Sequence, residues 1–319
     1  MRRGFMIEIR LRPAVAASVT FMLVAACSGD TPPLVSGSIA SRVAPHPDGV
    51  PMGWPKTKKN QPILFVADLQ DSGVWLFDPR ISNPPAEGLI NDGISNPAGL
   101  AVDASGTLYV ANIGNQTITE YSQGSSSPRL TRYVNFGGPY GIAVDSKGDI
   151  FVSNLVSYSI SGFKPGEIGP YETIDFMDLG QPTGVAVDGR DNVWVACDST
   201  SSVFEIPAGS STPKNANLSA LAAPNGIAFG PGDVMYVANF GSASVNVYAY
   251  GSTAPSETIT AGIENSGPTL NGFTRSGMFF QSNQSDDVVG YRRDETQPFS
   301  TIVGFGDPVG IASTPEARK

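Results

Sequence analysis

Few side chains in this sequence are equipped for chemistry, and most of those that are recur at fixed spacing. One set stands just after a recurring proline: Ala98, Tyr140, Thr183, Asn225, Thr269 and Val309. A second set closes short apolar runs: Asp68, Asn112, Asn154, Cys197, Asn239 and Ser282. Brought to one place, such amides and hydroxyls would hydrogen-bond a neutral polar ligand, a sugar or a peptide. Calcium asks for more: six to eight oxygens, usually including carboxylates. Asn225 and Asp68 come nearest to such ligands, so no metal centre is expected. Cys197 lies inside the apolar run "NVWVACDST", and the only histidine, His46, sits between prolines far along the chain. With no base to activate it, Cys197 reads as a buried small hydrophobe. Asp103, Asp145 and Asp188 each stand where an apolar run enters a turn, the place where Asp caps backbone N–H groups. No G-x-S-x-G elbow, phosphate loop or paired Cys/His cluster occurs. Neither a catalytic residue nor a cofactor is expected.

The elements that would position these residues come from a repeat. "PAGLAVDASGTLYVANIGNQTITEY" from Pro97 returns as "PYGIAVDSKGDIFVSNLVSYSISGF" from Pro139 and "PTGVAVDGRDNVWVACDSTSSVFEI" from Pro182. Further copies start at Pro224 and, in degenerate form, at Pro268. A second series of prolines, Pro85, Pro128, Pro170, Pro213, Pro255 and Pro298, is spaced by 43, 42, 43, 42 and 43 residues. The sixth unit is split between "PILFVADLQDSGVWLF" near the start and "PVGIAST" near the end. Each unit reads as four short strands, with D-x-x-G or a relative as the hairpin turn. The runs "GIAV" and "LYVA" are apolar on both faces, as strands sandwiched between neighbouring sheets must be. The expected fold is all-β: a single six-bladed β-propeller over residues 62–314, four antiparallel strands per blade, the first blade closed by the C-terminal strand.

The pattern P-x-G-[IL]-A-V-D…G…[IL]-[YF]-V-[AS]-N resembles the NHL repeat and the regucalcin/gluconolactonase-like propellers. In the calcium-dependent lactonases of that group, carboxylates and Asn at the post-proline position hold the metal, and an Asp there is implicated as base. Here that ring carries Asn225, Thr183, Thr269 and Tyr140 but no acid, so the resemblance implies a lost or reduced metal site. Propeller lyases resembling the streptogramin-inactivating enzyme rely on a histidine, and none follows His46.

The N-terminus reads as a leader. "MRRGFMIEIRLRP" is basic, and "AVAASVTFMLVAA" is an apolar run too short for a comfortable permanent span. It ends before Cys27 in a pattern that resembles a bacterial lipobox, which implies cleavage after residue 26 and acylation of Cys27. Residues 27–61 are rich in Pro, Gly and Ser and read as a tether, and 315–319 as a tail. Cys197 is then the one remaining thiol, so no internal disulfide is available. Formal charge is −9 for the whole chain, and the loss of four Arg and one Glu with the leader brings it near −12. An acidic body without a basic cluster excludes a nucleic-acid partner. Ser28 after the acylated Cys, by resemblance to Gram-negative sorting, directs the protein to the outer membrane. The expected function is a lipid-anchored envelope propeller that binds or scaffolds a protein partner or small polar ligand without catalysis. The alternative is a divergent gluconolactonase-like hydrolase.

Overall fold

The computed structural model describes residues 50–55, 61–134, 137–263, 267–284 and 286–314. All described residues belong to one compact unit. The leader, Cys27, His46, most of the tether and the tail therefore lie outside the described residues.

Six four-stranded antiparallel sheets form the blades. The innermost strands are Pro97–Val102, Pro139–Val144, Pro182–Val187, Pro224–Phe229, Pro268–Phe273 and Pro308–Ser313. The second strands are Leu64–Asp68, Leu108–Asn112, Ile150–Asn154, Val193–Cys197, Met235–Asn239 and Phe279–Asn283. Blades are numbered here by their second strands, so blade 1 is closed by the pairing of Leu64–Asp68 with Pro308–Ser313, Leu64 opposite Ser313 and Val66 opposite Ile311. The one helical turn among the described residues is a short 3-10 segment, Phe240–Ser242. None of their helices is long and apolar enough to cross a membrane.

The core is not central but lies in the seams, because each sheet buries both faces against its neighbours. Leu100, Leu108 and Tyr121 of blade 2 pack on Phe65, Leu76 and Ile90 of blade 1. Equivalent aliphatic and aromatic clusters fill the remaining seams around the ring. Near the axis the innermost strands come so close that only glycine fits: a Cβ on Gly310 would stand 2.0 Å from the Ala98 carbonyl oxygen. The turns joining first and second strands are clasped from blade to blade. Asp191 and Asp233 occupy the left-handed region (φ 63 and 58), an uncommon place for a side chain. Their carboxylates accept from Ser146 N and Gly189 N of the preceding blade, each at 2.9 Å.

Part of the segment read as tether belongs to this body. Gly53 N donates to Leu89 O at 2.6 Å and Leu89 N to Pro51 O at 3.2 Å, so the segment adds a parallel edge to blade 1. Trp54 is buried against Phe65, ring centroids 5.0 Å apart and edge-on. Residues 51–54, upstream of Pro62, thus pack on the propeller. A single Trp in a Pro-rich stretch gave no period from which its burial could be read.

Candidate functional site

Strand register decides which residues reach the axis. Each recurring proline pairs with the last residue of the second strand, Pro97 with Asn112 and Pro224 with Asn239. In blade 6 the partner of Pro268 is Asn283, not Ser282, so the second ring closes with Asn283. The degenerate copy, with Leu270 and Asn271 where others have Gly and an aliphatic residue, hides this register. Ser282 instead fastens blade 6 to blade 1, its hydroxyl 2.6 Å from the Leu270 and Val309 carbonyl oxygens.

The second ring is used internally. Asn112 Oδ1 accepts from Ser95 N at 3.1 Å, and Asn239 Oδ1 accepts from Ala222 N at 3.0 Å. Asn154 Nδ2 donates to the Ser159 and Ser161 hydroxyls at 3.2 and 3.0 Å. Asp68 accepts from four backbone N–H groups: Gln70, Asp71, Gly306 and Asp307. Two of these lie in the loop before the closing strand, so this carboxylate ties the two ends of the chain. All four side chains are buried, and Cys197 is buried as expected, its thiol pushed up to about 12 by burial and by Asp198. The Asp turn caps also stand as expected: Asp103 accepts from Ser105 N and Thr107 N, Asp145 from Lys147 N and Asp149 N, Asp188 from Arg190 N and Asn192 N.

The first ring fills the axis. Ala98, Val309 and Leu270 form an apolar cluster with Leu69 and Tyr140 against it. The Thr183 hydroxyl lies 3.1 Å from Ala196 O and 3.2 Å from Pro224 O, and that of Thr269 3.3 Å from Pro308 O. Tyr140 reaches from blade 3 to blade 5, where its hydroxyl donates to Asn225 Oδ1 at 3.1 Å. Asn225 itself is buried within an innermost strand, 4 % exposed. Its Oδ1 is engaged, its neighbours are hydroxyls spent on carbonyls, and the ring holds no acid. This donor set does not fit a calcium cage, and no group of three or more His, Cys, Asp or Glu among the described residues is placed to hold a metal.

Two acids outside both rings stand near the plug. Burial, together with Asp307 and Asp198, raises the proton affinity of the Tyr140 phenol. Asp307, just before Pro308, is pushed up to about 7 by burial and the neighbouring Asp68 carboxylate. Asp198, just after Cys197, is raised by burial. Each has an Oδ1 that is buried and has no hydrogen-bond partner. Their signal was one residue outside the repeat: other blades carry Asn96, Gly138, Gln181, Ala223 and Gly267 where Asp307 stands.

Asp307 makes stability fall with pH. Its folded pKa of about 7 exceeds the ordinary carboxylate value of roughly 3.9, so the folded state holds the extra proton between them. The stabilisation is complete below about pH 4 and lost as pH rises through about 7. Asp307→Asn is expected to match the parent at pH 4 and exceed it by about 1–3 kcal/mol at pH 8. Urea unfolding at both pH values checks this; equal stability at pH 8 refutes it.

No family model and no curated protein matches the sequence. Solved structures do. A chain of the nidogen/laminin complex aligns with TM-score 0.67 at 16% identity, over 81% of this chain and 100% of that one. A protein of unknown function from Bacteroides caccae aligns with TM-score 0.63 at 10% identity, over 80% and 99%. Streptogramin B lyase aligns with TM-score 0.57 at 16% identity, over 79% and 87%. The likeness is one of fold. It is the likeness of one β-propeller to others.

Proposed function

We propose that this chain is an envelope lipoprotein, anchored through Cys27 and directed to the outer membrane, whose propeller binds a protein partner or small polar ligand without catalysing a reaction. The observation that carries the binding reading is the filled axis. The Tyr140–Asn225 hydrogen bond and the Ala98–Leu270–Val309 cluster occupy the place where related hydrolases hold a metal. The protein-partner reading draws support from the nidogen/laminin neighbour. The anchor rests on the lipobox-like residues before Cys27 and on Ser28.

A gluconolactonase-like hydrolase is the second reading. It is favoured by Asp307, whose proton affinity near pH 7 suits acid–base work. One experiment separates them. The purified chain is heated with and without calcium and chelator, then incubated with gluconolactone. The binding reading expects no calcium-dependent rise in the unfolding midpoint and no turnover. A rise lost in Asn225→Ala, or hydrolysis lost in Asp307→Asn, would establish the hydrolase. For the anchor, labelled palmitate should enter the parent and not Cys27→Ser; equal labelling removes it.

A further inference from the structure

The seam between blades 2 and 3 contains a pocket of about 430 Å³, within the range of small-ligand sites. Its floor is one face of blade 3. Ser159 and Ser161 alternate along the third strand, paired with Asp175 and Thr173 of the outer strand; directly opposed residues in a sheet share a face. Asn154 joins them through its bonds to both serine hydroxyls. It is 2 % exposed, it lines the pocket, and its Oδ1 accepts no hydrogen bond. Ser157 continues the hydroxyl row, its Oγ 2.9 Å from that of Ser159. At the rim stand two large apolar side chains left open to solvent, Tyr133 (64 % exposed) and Met177 (62 %).

Blades 2 and 5 differ from blade 3 at the positions that shape this pocket. At the matching positions blade 2 carries Thr117 and Thr119, and blade 5 carries Ser244 and Asn246. Thr119 and Asn246 are larger than Ser161 and are engaged, Asn112 Nδ2 donating to Thr119 Oγ1 at 3.0 Å and the Thr258 hydroxyl to Asn246 Oδ1 at 2.9 Å. Blade 3 has serines where bulk would close the space.

We propose that this pocket binds a neutral mono- or disaccharide, which deepens the binding reading above and rests on it. The chemistry fits on three counts. The hydroxyl row, held in place by the Asn154 amide nitrogen, and the Asp175 carboxylate exchange hydrogen bonds with sugar hydroxyls. The exposed ring of Tyr133 offers a flat apolar surface to the C–H face of a pyranose, with its polar tip free. Among the described residues that line the pocket there is no Lys or Arg and one acid, Asp175, which disfavours phosphorylated or acidic ligands.

The full-length chain in detergent is tested by ligand-observed saturation-transfer NMR and by titration. The probes are glucose, galactose, mannose, N-acetylglucosamine and cellobiose, with glucose 6-phosphate as the anionic control. Saturable binding of at least one neutral sugar is expected, weakened about tenfold or more by Tyr133→Ala and by Thr173→Trp. Both positions are exposed, so unchanged unfolding midpoints separate loss of the site from loss of the fold. The proposal falls if no neutral sugar binds, if both variants bind as the parent does, or if glucose 6-phosphate binds as tightly. A bound sugar recovered chemically altered supports the site and overturns the non-catalytic reading. A failed titration beside negative calcium and lactone assays overturns the site alone.

Discussion

Glu120→Gln is expected to lower stability by about 3–5 kcal/mol, a drop of roughly 6–20 °C in unfolding midpoint for a domain of this size. Arg132 is fully buried and Glu120 is 2 % exposed. The Arg132 guanidinium donates directly to Glu120 Oε1, while its Nε donates to the Glu167 carbonyl across the seam. Arg129 reaches Glu120 Oε2 at 3.2 Å, and the Phe163 ring lies 5.9 Å from the Arg132 guanidinium carbon. Removing the carboxylate charge leaves a buried cation with only neutral partners, the new amide, a backbone carbonyl and a ring face, and a guanidinium keeps its charge inside proteins. The pair is costly to break but not thereby stabilising, since both ions were taken out of water. Glu120→Leu combined with Arg132→Met should therefore recover most of the loss. A double-mutant cycle by calorimetry checks the coupling; additive losses would show that the two charges do not depend on each other.

The opposite sign is expected in blade 6. Between first and second strands, five blades place aliphatic pairs: Leu100–Val110, Ile142–Val152, Val185–Val195, Ile227–Val237 and Ile311–Val66. Blade 6 places Asn271 opposite Gln281, both buried. Neither polar atom of the Asn271 side chain has a partner, nor has Gln281 Oε1. Gln281 Nε2 donates to backbone, its shortest contact 2.8 Å to Ser282 O. Each unsatisfied buried group costs about 1–3 kcal/mol. Asn271→Ile with Gln281→Val should therefore raise stability by about 2–4 kcal/mol, read as a higher midpoint in calorimetry. A lower midpoint would mean that the amides contribute more than their desolvation costs.

Architecture was legible because the fold is written six times: proline spacing and third-strand residues such as Ile118, Ile160 and Val245 each mark the same step of the ring. The candidate site was legible only where it followed the repeat. Asn225 and Tyr140 were found as members of one ring, but their hydrogen bond spans two blades, and no spacing along a chain reports how far a phenol reaches. Ser282 was placed one residue short because Leu270 displaces the glycine that marks register elsewhere. Asp198 and Asp307 lie in the flanking loops, where the repeat carries no pattern and burial alone gives a carboxyl its character. The blade 2–3 pocket was hidden for another reason: it comes from side chains being small, which a sequence shows only after neighbouring blades are superposed.

The strand that completes blade 1 is the last of the described strands in chain order. Leu64–Asp68 leaves the exit tunnel before the five other blades, yet its partner Pro308–Ser313 follows after all of them. Throughout synthesis the nascent chain carries an apolar strand with one edge unpaired, the kind of edge that recruits a second chain. Premature termination anywhere before residue 308 leaves that edge open for good. Such a product is expected to aggregate instead of working at reduced strength, so translation through this closing strand would act as an all-or-none checkpoint.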